Sequence, residues 1–158
     1  MHSQWRLSGL DADVFEPMFA WTDDALRGIG AVRRTATDAP GFPCRVSLED
    51  APVGAELLLL PYEHQPARSP YRASGPIFVR RGAVRSDLAP GEVPTYVTER
   101  LISLRAYDAE AMIIAASVCE GSAVADALDG MFADAAVAYV HLHNAKRGCY
   151  SCLASRVA

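Results

Sequence analysis

Short runs in which apolar and polar residues alternate constrain the fold of this chain more than any other feature of its sequence. Residues 136–143 contain two interleaved series, which are Ala138, Val140 and Leu142 on one side and Tyr139, His141 and His143 on the other. Residues 101–107 alternate in the same way. Successive side chains of a β-strand point to opposite faces, so each run predicts a strand with one face in the core.

The strands predicted from such runs outnumber the helices, and short connections join several of them. Residues 101–107 and 111–119 are separated by Asp-Ala-Glu at 108–110, which predicts a hairpin. Further strands are predicted at 5–10, 31–37, 44–48, 56–63, 75–81 and 149–157, and the clearest helix at 122–133. We therefore expect a single α+β domain over residues 1–158, with a mainly antiparallel central sheet and helices packed on one face. The residues expected in its core are Leu58, Leu60, Ile102, Leu104, Val140 and Leu142.

Charge and hydropathy exclude several classes of function. The net charge is −4, the pI is about 5.5, and no basic face is evident, so we expect no nucleic-acid partner. The strongly apolar run at 57–60 is too short to span a membrane, and the start of the chain has no signal-peptide pattern. These observations favour a cytoplasmic protein without membrane contact, whose four cysteines are reduced. They do not indicate an oligomeric state.

The end of the chain places a thiol and two imidazoles on neighbouring predicted strands. Residues 144–148 are predicted to form a five-residue loop, after which a new strand begins at Cys149. A hairpin at this loop would place Cys149 opposite His143, with Cβ atoms roughly 4.5–5.5 Å apart. An imidazole beside it could activate the thiol as a nucleophile. The predicted catalytic residues are Cys149, His143, His141 and His64, and the alternative is an ordinary pair on a solvated face.

Arginine and tyrosine side chains on other predicted strands would complete a pocket if their faces coincide with the histidine face. Guanidinium forks suit carboxylates and phosphates, so such a pocket would favour an anionic ligand. The predicted ligand-binding residues are Arg45, Arg72, Ser74, Arg80, Arg105, Tyr107 and Asn144. The alternative is cross-strand ion pairing, which is common and contributes little.

Residues 64–74 are predicted to form a long polar loop that contains two prolines, Pro66 and Pro70. Loops of this length without secondary structure are often functional, and His64 and Arg72 could bring an acid–base group and a cation to a site. The sequence does not show whether this loop closes over the histidine strand. The alternative is a loop whose polar side chains satisfy its own backbone.

Cys149 and Cys152 have the spacing of a redox dithiol or of half a zinc site. A redox pair normally opens a helix, whereas this pair begins a predicted strand, and no second C-x-x-C occurs. We therefore expect neither a disulfide between them nor a structural zinc ion, and we predict no metal-binding residues. An open His/Cys metal site is an alternative, because two histidines and a thiolate are an acceptable ligand set. No nucleotide-binding, zinc-protease or serine-hydrolase motif occurs, so the cofactor is unknown.

Five stretches of the sequence together form a specific pattern: 41–48, 62–66 with 69–72, 74–80, 104–108, and His141-Leu-His-Asn144 with Gly148-Cys149. In these residues the chain resembles a bacterial family known as domain of unknown function 1203. The resemblance covers nearly the whole chain and implies a bacterial, single-domain protein. It implies no activity, cofactor or catalytic residue, although it falls on the same polar stretches as the residues above.

The function favoured by these predictions is the binding or transformation of a small anionic molecule in a pocket lined by Arg, His, Tyr and Cys. A polar side chain on a strand next to the core must form a hydrogen bond, because its desolvation otherwise costs free energy. A purely structural protein rarely needs so many polar side chains on such strands. The alternatives are a protein-interaction module without catalysis and the open metal-binding protein. A concave pocket joining Arg80, Arg105 and His141 would favour the ligand hypothesis, and a flat apolar patch would favour the interaction hypothesis. The sequence leaves open whether the chain is an enzyme.

Overall fold

The computed structural model describes residues 4–158, which form two five-stranded sheets together with short helices. The strands are β1 (Trp5–Ser8), β2 (Val32–Thr35), β3 (Pro43–Cys44), β4 (Glu49–Asp50), β5 (Glu56–Gln65), β6 (Ala73–Arg80), β7 (Leu101–Tyr107), β8 (Ile113–Glu120), β9 (Tyr139–Asn144) and β10 (Tyr150–Arg156). The α-helices are α1 (Asp23–Gly28), α2 (Thr95–Thr98) and α3 (Val124–Phe132), and 3-10 turns lie at Ala12–Val14, Glu16–Ala20 and Gly121–Ala123.

The first sheet has strand order β1-β10-β9-β7-β8, and its neighbouring strands are antiparallel. The alternation in the sequence determines its two faces. Leu104 pairs with Leu142 and Ala106 with Val140, and all four side chains are buried in one core cluster. The predicted hairpin between residues 101–107 and the following strand is confirmed as the pair β7–β8.

The second sheet has strand order β2-β5-β6-β3-β4, and a long antiparallel hairpin of β5 and β6 forms its centre. Only β3 and β6 pair in parallel among the pairs described, so the mainly antiparallel prediction is confirmed. The prediction of one central sheet is wrong. The neighbouring residues Leu57 and Leu58 of β5 are both buried, in different apolar clusters, so this sheet has apolar side chains on both faces and builds a core of its own.

The helices are divided between the two cores. In α3, Val124, Leu128 and Phe132 are buried in the core of the first sheet, as the predicted apolar face requires. In α1, Leu26 belongs to the core of the second sheet. The six predicted core residues, Leu58, Leu60, Ile102, Leu104, Val140 and Leu142, are all buried. In residues 4–158, no helix has the length and apolar character needed to cross a membrane.

The strand predicted at 44–48 is wrong. Strand β3 ends at Cys44, and the chain then makes a tight turn before β4 begins at Glu49. Leu48 has a φ of 55° and its amide donates to the carbonyl of Cys44, so the chain reverses within these few residues. The segment after β1 anchors the turn, since the amide of Leu10 donates to the carbonyl of Arg45 at 2.8 Å. Arg45 is therefore held in a fixed turn between the two sheets.

Candidate functional site

Strands β7 and β9 bring the predicted polar residues onto one face of the first sheet. The register pairs Arg105 with His141 and Tyr107 with Tyr139. Directly paired residues of antiparallel strands project from the same face of the sheet. The condition that the arginine–tyrosine face coincides with the histidine face is met for Arg105 and Tyr107 but not for Arg45 and Arg80, which lie in a turn and on β6. The face of Arg105 and Tyr107 lies opposite the core that contains α3.

A third histidine reaches this face from the second sheet. The ring centroid of His64 lies 4.8 Å from that of His143 and 6.1 Å from that of His141. The centroids of His141 and His143 are 6.4 Å apart. The ring of His64 also stacks on Tyr150, with a centroid separation of 5.6 Å and an interplanar angle of 11°. We call His64, His141 and His143 the histidine cluster.

The position of His64 is determined by a strand and not by the predicted loop. Strand β5 continues through Gln65, and Gln65 Nε2 donates to the hydroxyl of Tyr139 at 2.9 Å. Ser74, also predicted in the loop, lies on β6, so the loop proper is confined to residues 66–72. The prediction of a loop over 64–74 is wrong because the hairpin ladder extends almost to its tip, pairing Gln65 with Ala73.

Burial keeps the histidine cluster uncharged at neutral pH. His141 is 6% exposed and His143 is fully buried. Desolvation lowers the pKa of His141 to about 3, and the neighbouring His143, His64 and Arg105 add to this effect. Desolvation lowers the pKa of His143 to about 4, against the opposing hydrogen bond with Gly148. The pKa of His64 is lowered first by burial and then by the charge of Arg105.

Four buried ring nitrogens of the histidine cluster have no hydrogen-bond partner in residues 4–158. Nδ1 of His143 lies 3.0 Å from the carbonyl oxygen of Gly148. A carbonyl only accepts, so Nδ1 carries the proton and Nε2 of the neutral ring keeps a lone pair. This Nε2, Nδ1 of His141 and both nitrogens of His64 are buried and unpartnered. In residues 4–158, however, no group of three or more His, Cys, Asp or Glu side chains is arranged to hold a metal ion.

The predicted pair of Cys149 and His143 is wrong by one residue of register. His143 pairs with Tyr150, and the amide of Asn144 donates to the carbonyl of Cys149. Asn144 therefore extends β9, and the loop shifts by one residue to 145–149, in which Gly148 has a φ of 79°. Tyr150 takes the position opposite His143, and the Cys149 side chain contacts Arg45 instead.

The partner of Cys149 is Arg45. Nη2 of Arg45 donates to Cys149 Sγ at 3.1 Å, while Nε donates to the carbonyl of Tyr150 at 2.8 Å and Nη1 to that of Pro43 at 2.7 Å. Arg45 is only 2% exposed. Within the described residues its guanidinium has no carboxylate at ion-pairing distance. Two carbonyl oxygens and one sulfur are thus the groups that compensate this buried charge.

A cavity of about 360 Å³, which we call the Arg45 cavity, opens beside Arg45 and Cys149 at the junction of the two sheets. Its apolar wall includes Leu59, Ile77 and Phe78, and its charged and amide groups are Arg45, Glu99, Arg100, Asn144, Lys146 and Arg147. Arg100 is paired with Asp50 at 2.5 Å, but Lys146 and Arg147 form no ion pair within residues 4–158. Oδ1 of Asn144 is buried and has no hydrogen-bond partner in the part of the chain that the structure describes.

Three predicted ligand-binding residues, Arg72, Ser74 and Arg80, lie in neither the histidine cluster nor the Arg45 cavity. Arg72 is paired with Glu63 at 3.0 Å on the surface, and Ser74 lines a separate shallow groove. Arg80 pairs with Leu57 at the end of the hairpin remote from His64, and it lines neither the Arg45 cavity nor the groove beside His64 and His141. The long β5–β6 hairpin separates Arg80 from His64 because both residues are fixed on its strands.

Cys149 and Cys152 are both free, and a bulge after Tyr150 turns Cys152 into the core opposite Leu142.

The prediction missed Lys146 and Arg147 as site residues. Their position directly before Gly148-Cys149 was a usable signal, because a hairpin loop carries its side chains next to the strand that follows. No sequence pattern identified Tyr150 as a site residue, because its position beside the histidine cluster depends on the register of the β9–β10 hairpin.

Comparison with known proteins yields one family. A family model described as "Protein of unknown function (DUF1203)" matches residues 41–156. This range includes the histidine cluster and the residues that line the Arg45 cavity. The curated proteins and the solved structures contain no match to the chain.

Proposed function

The chain belongs to the DUF1203 family, whose description states no activity, and from the site itself we propose that the protein binds a small anionic molecule in the Arg45 cavity. One observation carries the proposal. The guanidinium of Arg45 is buried beside the cavity and has no carboxylate partner among the described residues. Buried charges in proteins are normally paired, so an anion supplied by a ligand would complete the site.

The charges of the side chains that line the Arg45 cavity favour binding of an anionic ligand over a cationic one. Lys146 and Arg147 stand at the cavity without ion-pair partners in the described chain, against the single unpaired carboxylate of Glu99. The whole chain has a net charge of −4, so this positive region is local. A concave site with one sign of charge raises the local concentration of oppositely charged ligands.

The size and apolar wall of the cavity support a small amphipathic ligand. A volume of about 360 Å³ is at the lower end for ligand sites. Leu59, Ile77 and Phe78 would contact an apolar group of the ligand, while Arg45, Lys146 and Arg147 would bind its anionic head. A small carboxylic acid or phosphate ester has this composition. Cys149 would lie beside it, and the catalytic roles predicted for Cys149 and the histidines stay predictions.

We extend the proposal to the domain organisation, partners and location of the protein. Both sheets contribute to the cavity wall, which supports residues 1–158 acting as one domain. The negative net charge supports a function without nucleic acid. We also propose a cytoplasmic location with reduced cysteines, which the four free cysteines of the structure support.

Binding of benzoate and of its neutral isostere benzamide, measured by calorimetry, tests the proposal. Benzoate should bind more tightly than benzamide, and the double variant Lys146→Gln/Arg147→Gln should weaken benzoate binding about tenfold through the loss of two exposed cations. The matched control is Arg34→Gln/Arg68→Gln, which removes two exposed arginines outside the cavity. Equal binding of benzoate and benzamide, or an equal loss in the control, would contradict the proposal. Native mass spectrometry of the freshly purified protein would identify a retained ligand.

A further inference from the structure

We infer that Cys149 is a site of reversible mixed-disulfide formation with a small anionic thiol, and that the attached group closes the Arg45 cavity to its ligand. The inference rests on the proposed function, because the thiol would enter the cavity that we propose for anions. It adds a covalent modification of this cavity and, through the modification, a means of regulating the same site.

Two of the four cysteines are accessible to a reagent from solution. All four are free, but Cys44 and Cys152 are completely buried in the two cores. Cys119 and Cys149 are partly exposed. Thiol–disulfide exchange requires that the attacking sulfur and the disulfide can meet. The candidates for modification are therefore Cys119 and Cys149, and Cys149 lines the Arg45 cavity.

The surroundings of Cys149 are electropositive. Nη2 of Arg45 donates to its sulfur at 3.1 Å, and this buried guanidinium in the cavity wall has no carboxylate at ion-pairing distance in residues 4–158. Lys146 and Arg147 add two further cations to the lining, against the carboxylate of Glu99. Reactive cysteines occupy partly exposed, electropositive surroundings of this kind. The cations would attract a disulfide that carries carboxylates.

The surroundings of Cys119 have the opposite charge. Cys119 lies on β8 directly before Glu120, whose side chain is exposed. Burial, and then the charge of Glu120, raise the pKa of the Cys119 thiol. A negatively charged disulfide should therefore be repelled from Cys119 and attracted to Cys149. The chain thus contains its own reference thiol for the charge preference of Cys149.

The exchange needs no reactant besides the disulfide of the small thiol. The Cys149 thiolate attacks one sulfur of this disulfide, a bond forms between Sγ and that sulfur, and the S–S bond of the reagent breaks. The other half leaves as a thiolate and takes up the proton that Cys149 released. The sulfur of Cys149 is oxidised and the leaving sulfur is reduced. Attack of a free thiol on the mixed disulfide reverses the step.

The size of the Arg45 cavity makes the modification and ligand binding mutually exclusive. Its volume of about 360 Å³ is at the lower end for ligand sites, so it holds one small molecule. The carboxylate of a thiol attached to Cys149 would contact Arg45, Lys146 and Arg147, which are the cations proposed to bind the head of the ligand. The attached group would therefore occupy both the volume and the charged groups that a free ligand needs.

Exchange with dithiodiglycolate, which carries two carboxylates, and with cystamine, which carries two ammonium groups, tests the inference. The rates at Cys149 and Cys119 of the reduced full chain are measured by peptide mass spectrometry. The rate with dithiodiglycolate is divided by the rate with cystamine at each thiol, so that the ionisation of that thiol cancels. We expect this ratio to be about tenfold or more higher at Cys149 than at Cys119, and Lys146→Gln/Arg147→Gln should remove most of the difference.

Benzoate binding to the modified chain, measured by calorimetry, tests the closure of the cavity. Modification by dithiodiglycolate should weaken benzoate binding to the wild type by about tenfold or more. Cys149→Ser, in which Cys119 can still react, should bind benzoate equally before and after the same treatment. Equal exchange ratios at the two thiols, or unchanged benzoate binding after modification of Cys149, would show that the inference is wrong. An untreated chain that binds no benzoate but has the predicted ratios would contradict the proposed function and confirm the modification site.

Discussion

Arg45→Met is expected to lower the free energy of unfolding by about 3 kcal/mol or more. The guanidinium of Arg45 joins the turn after β3 to the start of β10 through the carbonyls of Pro43 and Tyr150. Methionine has a similar length but no donors, so two buried carbonyl oxygens and the sulfur of Cys149 would lose their partner. Urea unfolding followed by circular dichroism measures the change as a shift in the midpoint.

Two variants distinguish this effect from a general loss of arginine. Arg45→Lys keeps the charge but lacks the planar fork, so it should restore only part of the stability. Arg34→Met removes an exposed arginine that donates to the carbonyl of its neighbour Arg33, and it should change stability by less than about 0.5 kcal/mol. If Arg45→Met is as stable as Arg34→Met, the buried guanidinium does not join the two sheets.

Acidification of the protein from pH 7 to pH 5 is expected to cost about 4 kcal/mol of stability through His141 and His143. Their pKa values in the folded protein are about 3 and about 4, below the ordinary value of about 6.5 in an unfolded chain. The unfolded chain therefore binds more protons over this window. The stabilising effect is fully present above pH 6.5 and is lost as the pH falls toward the folded-state values, with about 2 kcal/mol per histidine lost by pH 5.

Unfolding in urea at several pH values between 7 and 5 measures this slope, in a range where most carboxylates stay ionised. His141→Phe keeps an aromatic ring at the site and should remove about half of the loss. His2→Gln serves as the matched control and should leave the slope unchanged. A slope that is the same in His141→Phe and in the wild type would show that His141 is not held neutral by the fold.

The alternation of side chains predicted which residues share a face but not how the strands align. The series with Arg105 and the series with His141 could be assigned to faces because side chains of a strand repeat every second residue. The register of the β9–β10 hairpin could not be predicted, because it depends on whether Asn144 belongs to the strand or to the loop. Because Asn144 belongs to β9, Tyr150 and not Cys149 lies opposite His143, where its ring packs against the histidine cluster.

The candidate site depends mostly on contacts between distant parts of the chain. Arg45 was predicted as a ligand-binding residue on a strand, but its role comes from a turn that packs against Tyr150 and Cys149, more than a hundred residues away in sequence. No local pattern contains such a contact. His64 was identified as a site residue for its chemistry, yet its meeting with His143 follows from how the two sheets pack together.

Alkylation of Cys149 by iodoacetate and by its neutral isostere iodoacetamide tests the central claim, that the Arg45 cavity selects anions, most directly. The ratio of the two rates at Cys149, measured by peptide mass spectrometry, is compared between the folded protein and the urea-unfolded chain. Because both reagents react with the same sulfur, its ionisation cancels in the ratio. We predict that folding raises the iodoacetate-to-iodoacetamide ratio about tenfold, and that Lys146→Gln/Arg147→Gln abolishes most of this increase. An unchanged ratio on folding, or an increase that persists in the double variant, would contradict the claim that these cations make the cavity selective for anions.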